Sequence, residues 1–197
     1  MLAGVGVLAV LALVLWLGRR ETQTLATVAG GTAAAPFAAG GADDGGAPGG
    51  APPDISAMSP RERFDRLYNR VMTAAEKGDQ ATAERFMPMA LMAYGQLDSV
   101  DGDARFHAAL LQLHSGNVAA GRALADTMLR EQPGDLLGYV LLANAARWSK
   151  DEAGLRKVYG DFLAHYDAEM KAGRPEYKAH ERTIAELRQA ALDDRSK

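Results

Sequence analysis

The chain of 197 residues contains no cysteine, only four histidines and few aromatic residues. Without cysteine it forms no disulfide, cysteine zinc site or iron–sulfur cluster, and thiolate chemistry is excluded. The formal net charge is only −3, so no strongly basic field is available for nucleic acid. These absences exclude several classes of function and leave the cellular compartment open.

Sequence motifs that commonly mark an enzyme are also lacking. There is no GxSxG elbow, phosphate-binding loop, GxGxxG unit after a strand or HExxH pair. His107 and His114 would lie about 10.5 Å apart along one helix, too far for a shared metal ion. His165 and His180 would fall on separate helices. We therefore predict no catalytic residue, no metal site, no cofactor and no small-molecule substrate.

The first 18 residues carry no charged side chain and are followed by Arg19 and Arg20. At about 1.5 Å per residue they would span roughly 27 Å, close to the hydrocarbon thickness of a bilayer. Trp16 suits the membrane interface, and the two arginines suit the headgroups. We predict a transmembrane anchor over residues 1–20, in contact with the lipid bilayer. A cleaved signal peptide is the alternative, disfavoured because the basic pair follows the apolar run.

The predicted location is a bacterial inner membrane, crossed once. Because Arg19 and Arg20 follow the apolar run, the distribution of positive charge favours a cytoplasmic position for the rest of the chain. A periplasmic position is the alternative, and the sequence leaves the choice open.

Residues 21–58 are predicted to be a linker of the disordered type, because glycine, alanine and proline dominate and no helical or strand period is present. The few side chains in it that could hold a partner are Pro36, Phe37 and Ile55. Whether the linker is ordered without a partner does not follow from the sequence.

Residues 59–197 are predicted to be a helical domain. Ser59, Pro60 and Glu62 form a strong helix start, with a capping box. Helices are expected over about 60–76, 80–94, 104–114, 118–131, 136–148 and 152–172, followed by a last helix from Pro175. Pro88 should kink or split the second helix, since its nitrogen cannot donate a hydrogen bond. Asp103 is predicted to cap the third helix.

Small and large residues recur in this domain at a spacing of about 34 positions. Gly78, Gly116 and Lys150 each fall in a turn between two amphipathic stretches, at separations of 38 and 34 residues. The clearest repeat is carried by Ala108, Ala109, Gly116, Gly121, Ala125, Met128, Leu129 and Pro133. Over residues 64–166 this pattern resembles the tetratricopeptide (TPR) repeat, in which antiparallel helix pairs stack on one another.

The resemblance implies a fold and a binding surface. The fold class would be all-α, with an N-terminal transmembrane helix, a linker, and a TPR-like stack of helix hairpins that ends in a C-terminal capping helix. In such stacks the first helix of each hairpin lines a concave groove that binds other proteins. The positions implied for that groove are Tyr68, Met72, Phe106, Leu110, Asn144 and Arg147.

The function predicted from these features is that of a non-catalytic, membrane-anchored scaffold. It would be an accessory subunit that braces a large bacterial membrane complex, with respiratory and photosynthetic assemblies as candidate hosts, through contacts with the other protein subunits. The alternative is a transient TPR-type assembly factor or chaperone, for example in cytochrome c maturation. The sequence names neither the partner nor the stoichiometry.

Overall fold

The computed structural model describes residues 58–196, and those from Ser59 onward belong to one compact unit. This part of the chain forms eight α-helices: α1 (Pro60–Glu76), α2 (Gln80–Tyr94), α3 (Gly102–His114), α4 (Val118–Glu131), α5 (Leu136–Trp148), α6 (Glu152–Ala172), α7 (Pro175–Ala179) and α8 (Glu181–Arg195). The predicted all-α class is confirmed for these residues. The first six helices begin and end within two residues of the predicted bounds.

Side-chain caps explain where the first six helices begin. Each cap accepts a hydrogen bond from a backbone N–H of the first turn, which has no partner within the helix. The caps are Ser59, Asp79, Asp101, Asn117, Asp135 and Asp151. Ser59 and Glu62 form the predicted capping box. The prediction for Asp103 was wrong, since Asp101 caps α3 and Asp103 lies in its first turn.

Three equivalent turns join the helices into hairpins. Gly78, Gly116 and Lys150 all have positive φ, at 72°, 80° and 55°. In each turn the next residue donates its N–H to the carbonyl five positions back, which is the Schellman pattern that closes a helix through a left-handed residue. These bonds run from Asp79 to Ala74, from Asn117 to Gln112 and from Asp151 to Ala146, at 2.8–2.9 Å. The periodic spacing in the sequence therefore corresponds to a repeated structural unit.

The hairpins α1/α2, α3/α4 and α5/α6 pack side by side. Helix α3 lies between two cores, which explains why it is apolar on two sides. Ala104, Ala108 and Leu111 join the core of the first hairpin. Phe106 and Leu113 join the core formed with α4, α5, α6 and α8. The arrangement is an array of helical hairpins, compatible with a helical repeat fold.

Two glycines allow helices to approach closely within this array. A Cβ on Gly121 of α4 would lie 2.7 Å from two side-chain carbons of Leu113 on α3. A Cβ on Gly138 of α5 would lie 2.8 Å from Cγ of Leu129 on α4. Both distances are well below an ordinary carbon–carbon contact of about 3.5–4.0 Å. The small residues of the repeat therefore serve helix packing.

Two predictions about the helices need correction. Pro88 does not split α2, which remains one helix from Gln80 to Tyr94 because a single missing amide donor removes only one of its bonds. The last predicted helix is instead two helices, α7 and α8, which meet at His180. The break fixes the position of that histidine.

The predicted transmembrane anchor over residues 1–20 and the linker over 21–58, apart from Met58, lie outside the described residues. Among the helices of residues 58–196, none combines the length and the apolarity needed to cross a bilayer. The fold class is corrected accordingly: residues 58–196 are all-α with eight helices, and none of these helices could span a membrane.

Candidate functional site

Three side chains that could bind a metal ion meet where α1, α3 and the α7–α8 junction come together. They are Asp103 and His107 of α3 and His180, which lies 77 residues after Asp103. One ligand atom from each lies within 4.8 Å of the other two. The sequence analysis predicted that the histidines share no metal site, so this cluster was not anticipated.

Local structure explains how the side chains come together. Because Asp101 caps α3 through the N–H of Ala104 at 2.7 Å, the carboxylate of Asp103 is free to form tertiary contacts. Asp103 and His107 are four residues apart, so they share one helix face. His180 ends α7, where its N–H donates to Glu176 O at 3.2 Å, and its ring then reaches back to α3.

Asp103 is the centre of the polar contacts. His180 Nε2 lies 2.9 Å from Asp103 Oδ1 and donates, since a carboxylate only accepts. Arg61 Nη2 donates to the other oxygen, Oδ2, at 2.6 Å. The same guanidinium bonds Asp65 at 2.9 Å and Asp101 at 2.6 Å. Arg61 therefore ties α1 to the start of α3 and holds the Asp103 carboxylate in place.

Aromatic contacts orient both imidazole rings. The ring of Tyr68 stacks on His107, with centroids 3.9 Å apart and an interplanar angle of 16°. The ring of Phe106 contacts His180 at 4.7 Å. The two histidines meet edge to face at 5.2 Å. These ring contacts restrict the rotamers available to the two imidazoles.

The protonation states follow from burial and hydrogen bonding. The hydrogen bond from His180 lowers the pKa of Asp103, and His107 and Arg61 act in the same direction against the effect of burial. Burial lowers the pKa of His107 and outweighs the attraction of Asp103. At neutral pH the site therefore contains an ionised carboxylate beside a neutral imidazole.

One nitrogen in the cluster lacks a partner. His107 Nδ1 is buried and forms no hydrogen bond, and its distance of 3.6 Å to Asp103 Oδ2 exceeds hydrogen-bond range. A buried polar atom without a partner costs about 1–3 kcal/mol.

Next to the cluster, an open cleft of about 350 Å³ is lined by Asp101, Gly102, Asp103, Pro175, Glu176 and Ala179. The Asp103 side of the cluster is therefore reachable from solvent.

A buried tyrosine fixes the C-terminal segment a few residues before His180. Tyr177 is 3% exposed, and its hydroxyl accepts the N–H of Leu136 at 3.0 Å and donates to Glu169 at 2.9 Å. Ile184 and Leu187 of α8 then enter the core beside α5 and α6. The segment formed by α7 and α8 thus contacts the first helices of the second and third hairpins.

Two of the predicted groove residues are interior side chains. Phe106 is 1% exposed and Tyr68 is 9% exposed. Phe106 packs in the core and against His180, and Tyr68 is covered by His107. The prediction that these two rings line an open groove is therefore corrected. The docked C-terminal segment covers Phe106, and α3 covers Tyr68.

The other predicted groove residues keep some surface. Met72 is half-buried against the core of the first hairpin, and Leu110 is half-buried between both cores. Asn144 and Arg147 are bonded to each other at 3.1 Å, and Arg147 also donates to Tyr159 at 3.0 Å. These four residues remain the accessible part of the predicted groove.

The remaining predicted site residues fall outside residues 58–196. They are Trp16, Arg19 and Arg20 of the predicted anchor and Pro36, Phe37 and Ile55 of the predicted linker. Conversely, sequence reasoning missed Asp103, His107 and His180 as a group. The four-residue spacing of Asp103 and His107 was the one available signal, and nothing local pointed to His180.

Comparison with known proteins adds no relative from which a function could be transferred. No protein-family model, curated protein or solved structure matches this chain.

Proposed function

We propose that this protein is a non-catalytic scaffold that binds a segment of another protein on the first helices of a TPR-like hairpin array. In this role it is an accessory subunit of a multi-protein complex. The three equivalent Schellman turns at Gly78, Gly116 and Lys150 support the repeat architecture. Repeats of this kind present extended surfaces suited to peptide and helix recognition.

One observation carries the proposal: the array already accommodates an amphipathic helix of its own chain. Ile184, Leu187 and Ala191 lie on one face of α8 and are buried, whereas the rest of that helix is mostly exposed. This face packs beside α5, and His180 at the start of the helix contacts Asp103 of α3. A surface that binds one such helix has the shape and apolarity to bind a similar segment from a partner.

The partner-binding surface of the proposal consists of Met72, Leu110, Asn144 and Arg147. Methionine and leucine offer adaptable apolar contact, and Arg147 offers a cation whose side chain is exposed. The complementary partner is an amphipathic helix or extended peptide with apolar side chains and a carboxylate.

Affinity isolation with matched variants tests the proposal. Tagged full-length protein is recovered from its natural host after gentle extraction, and its complexes are separated under native conditions and quantified by mass spectrometry. The wild-type chain should bring down a partner in stoichiometric amount. Arg147→Ala should reduce this recovery on the order of tenfold, the loss of about 1.4 kcal/mol expected for an interface arginine.

Lys157→Ala is the control, because it also removes one cation from the same hairpin, together with the 2.7 Å pair that Lys157 forms with Asp161 on α6. Its recovery of the partner should equal that of the wild-type chain. Equal recovery by Arg147→Ala would contradict the proposed surface. Absence of a stoichiometric partner from the wild-type isolation would contradict the role of accessory subunit.

A transient assembly factor is the second candidate function. The small apolar face of α8 favours this function. Because the helix buries only three side chains, a client segment of higher affinity could replace it. Such a factor would be recovered with several clients in substoichiometric amounts, which distinguishes it from a permanent subunit.

A further inference from the structure

Asp103, His107 and His180 have the donor set of a transition-metal site. Two imidazoles and one carboxylate, without cysteine, are a common ligand set for zinc and related first-row divalent ions. Bonds of about 2.1 Å to a tetrahedral ion place ligand atoms roughly 3.4 Å apart. The observed separation of 2.9 Å between His180 Nε2 and Asp103 Oδ1 lies within about 0.5 Å of that value, and His107 Nδ1 lies 3.6 Å from the other oxygen, Oδ2.

The unpartnered nitrogen provides an independent observation. His107 Nδ1 is buried without a hydrogen bond, and it faces the carboxylate that would share the ion. A metal ion between the two imidazoles and Asp103 would give this atom a partner. Among residues 58–196, His107 Nδ1 is the one buried side-chain N or O atom without a hydrogen bond, and the ion would satisfy it.

The surrounding residues would support the ligands. Arg61 binds Asp103 through Oδ2 at 2.6 Å, so an ion would take Oδ1 in place of the hydrogen bond that His180 Nε2 donates to it, with the ring proton of His180 then on Nδ1. Tyr68 and Phe106 hold the two imidazoles through ring contacts at 3.9 Å and 4.7 Å. Hydrogen bonds and packing of this kind orient metal ligands and raise affinity.

The charge of the site also suits a cation. The carboxylates of Asp65, Asp101 and Asp103 surround the single guanidinium of Arg61. Three negative charges against one positive charge leave a local charge of −2 before the histidines are considered. A divalent ion would neutralise that charge, and the adjoining cleft offers it a route from solvent.

We propose that Asp103, His107 and His180 bind one zinc-class divalent metal ion, which clips the C-terminal segment of α7 and α8 onto α3. The three protein ligands leave a coordination position for water. The ion would link residues 77 positions apart, so that its binding would stabilise the docked segment. This site is independent of the scaffold function, which does not require a metal.

Metal titration of the full-length protein tests the site. The chain is prepared without a histidine tag, stripped with a chelator, and titrated with zinc sulfate by calorimetry. We expect saturable binding of one zinc ion per chain, a higher Tm with zinc, and no saturable binding of calcium or magnesium. Cobalt(II) should give the visible absorption bands of a four-coordinate, tetrahedral site.

Matched histidine variants assign the ligands, since all four histidines of the chain lie in the described part. His180→Gln should weaken zinc binding on the order of 100-fold or more, whereas His165→Gln, outside the cluster, should bind like the wild-type chain. Asp103→Asn should behave like His180→Gln. Circular dichroism of each metal-free variant shows whether it is folded.

Two results would overturn the proposal. One is the absence of saturable zinc binding by the wild-type chain, which decides the question whether or not the variants fold. The other is unchanged zinc affinity and cobalt absorption in a folded His180→Gln or Asp103→Asn chain. Neither result bears on partner recovery, so the metal site and the scaffold function fail separately.

Discussion

Alanine at Gly121 should destabilise the helical domain, whereas alanine at Gly160 should stabilise it. Gly121 lies in α4 at its closest approach to α3, and Gly160 lies on the exposed side of α6. Both are glycines inside helices, where alanine is intrinsically favoured by about 1 kcal/mol. The pair therefore separates the packing of the hairpin from helix propensity.

The expected magnitude follows from the space at each position. A methyl group on Gly121 would lie 2.7 Å from Cγ and Cδ2 of Leu113 and 3.2 Å from the carbonyl oxygen of Ala109. Relief of this overlap requires a shift of roughly 1 Å, because carbon–carbon contacts are comfortable at about 3.5–4.0 Å. Leu113 is 1% exposed and has little room to move. Overpacking of this kind costs about 1–3 kcal/mol.

At Gly160 a methyl group would meet nothing within 4 Å, so only the gain in propensity remains. The propensity term cancels between the two variants. Gly121→Ala should therefore be less stable than Gly160→Ala by about 1–3 kcal/mol. Urea unfolding followed by far-UV circular dichroism measures both free energies against the wild-type chain. Equal stability of the two variants would refute the close packing of α3 and α4.

Three further predictions concern single contacts. Lys150→Gly should raise the free energy of unfolding by up to about 1 kcal/mol, because a residue with a side chain is strained in the left-handed conformation. A lower urea midpoint would contradict the equivalence of the three turns. Tyr177→Phe should lower the free energy of unfolding by about 1–3 kcal/mol, since the buried N–H of Leu136 loses its acceptor and Glu169 loses a donor; an unchanged Tm would refute the role of that hydroxyl. Burial lowers the pKa of His114 in the folded chain, so the unfolded chain binds this proton at a higher pH than the folded chain does. The contribution of His114 to stability should therefore be present above about pH 6.5 and should be lost as the pH falls through the folded pKa. His114→Gln should reduce this slope in urea midpoints measured between neutral pH and about pH 5, and an identical slope would show that His114 is not its source.

The helices were predictable because their ends are determined locally. Ser59 with Glu62 fixes the start of α1, and glycine at positions 78 and 116 allows the left-handed turns that end α1 and α3. Lys150 occupies the equivalent conformation without being glycine, and it was identified through spacing alone. Local capping chemistry and small residues therefore contain most of the information about the hairpins.

The interior positions of the predicted groove could not be recognised from periodicity. Phe106 lies on a helix face that the α7–α8 segment covers, and Tyr68 lies on a face that α3 covers. They are buried because His180 and His107 lie over them. An amphipathic pattern shows which face of a helix is apolar, but the element that covers that face is determined by tertiary structure.

The cluster of Asp103, His107 and His180 could not be predicted for a related reason. Asp103 was expected to cap α3, but Asp101 takes that role and leaves Asp103 to contact Arg61 and His180. Caps two residues apart are difficult to distinguish by sequence, since both positions suit aspartate. His180 reaches the site because the chain breaks between α7 and α8, and a single helix was expected there.

The most direct test of the scaffold function is to locate the partner on the array. A photoreactive amino acid is placed at Met72 on the first helix of a hairpin or, as the control, at Met92, which is 51% exposed on the second helix of the same hairpin. After irradiation in the natural host, crosslinked proteins are identified by mass spectrometry. We expect one dominant crosslinked protein from position 72 and none from position 92. Crosslinks from position 92 alone, or from neither position, would contradict the claim that the first helices bind the partner.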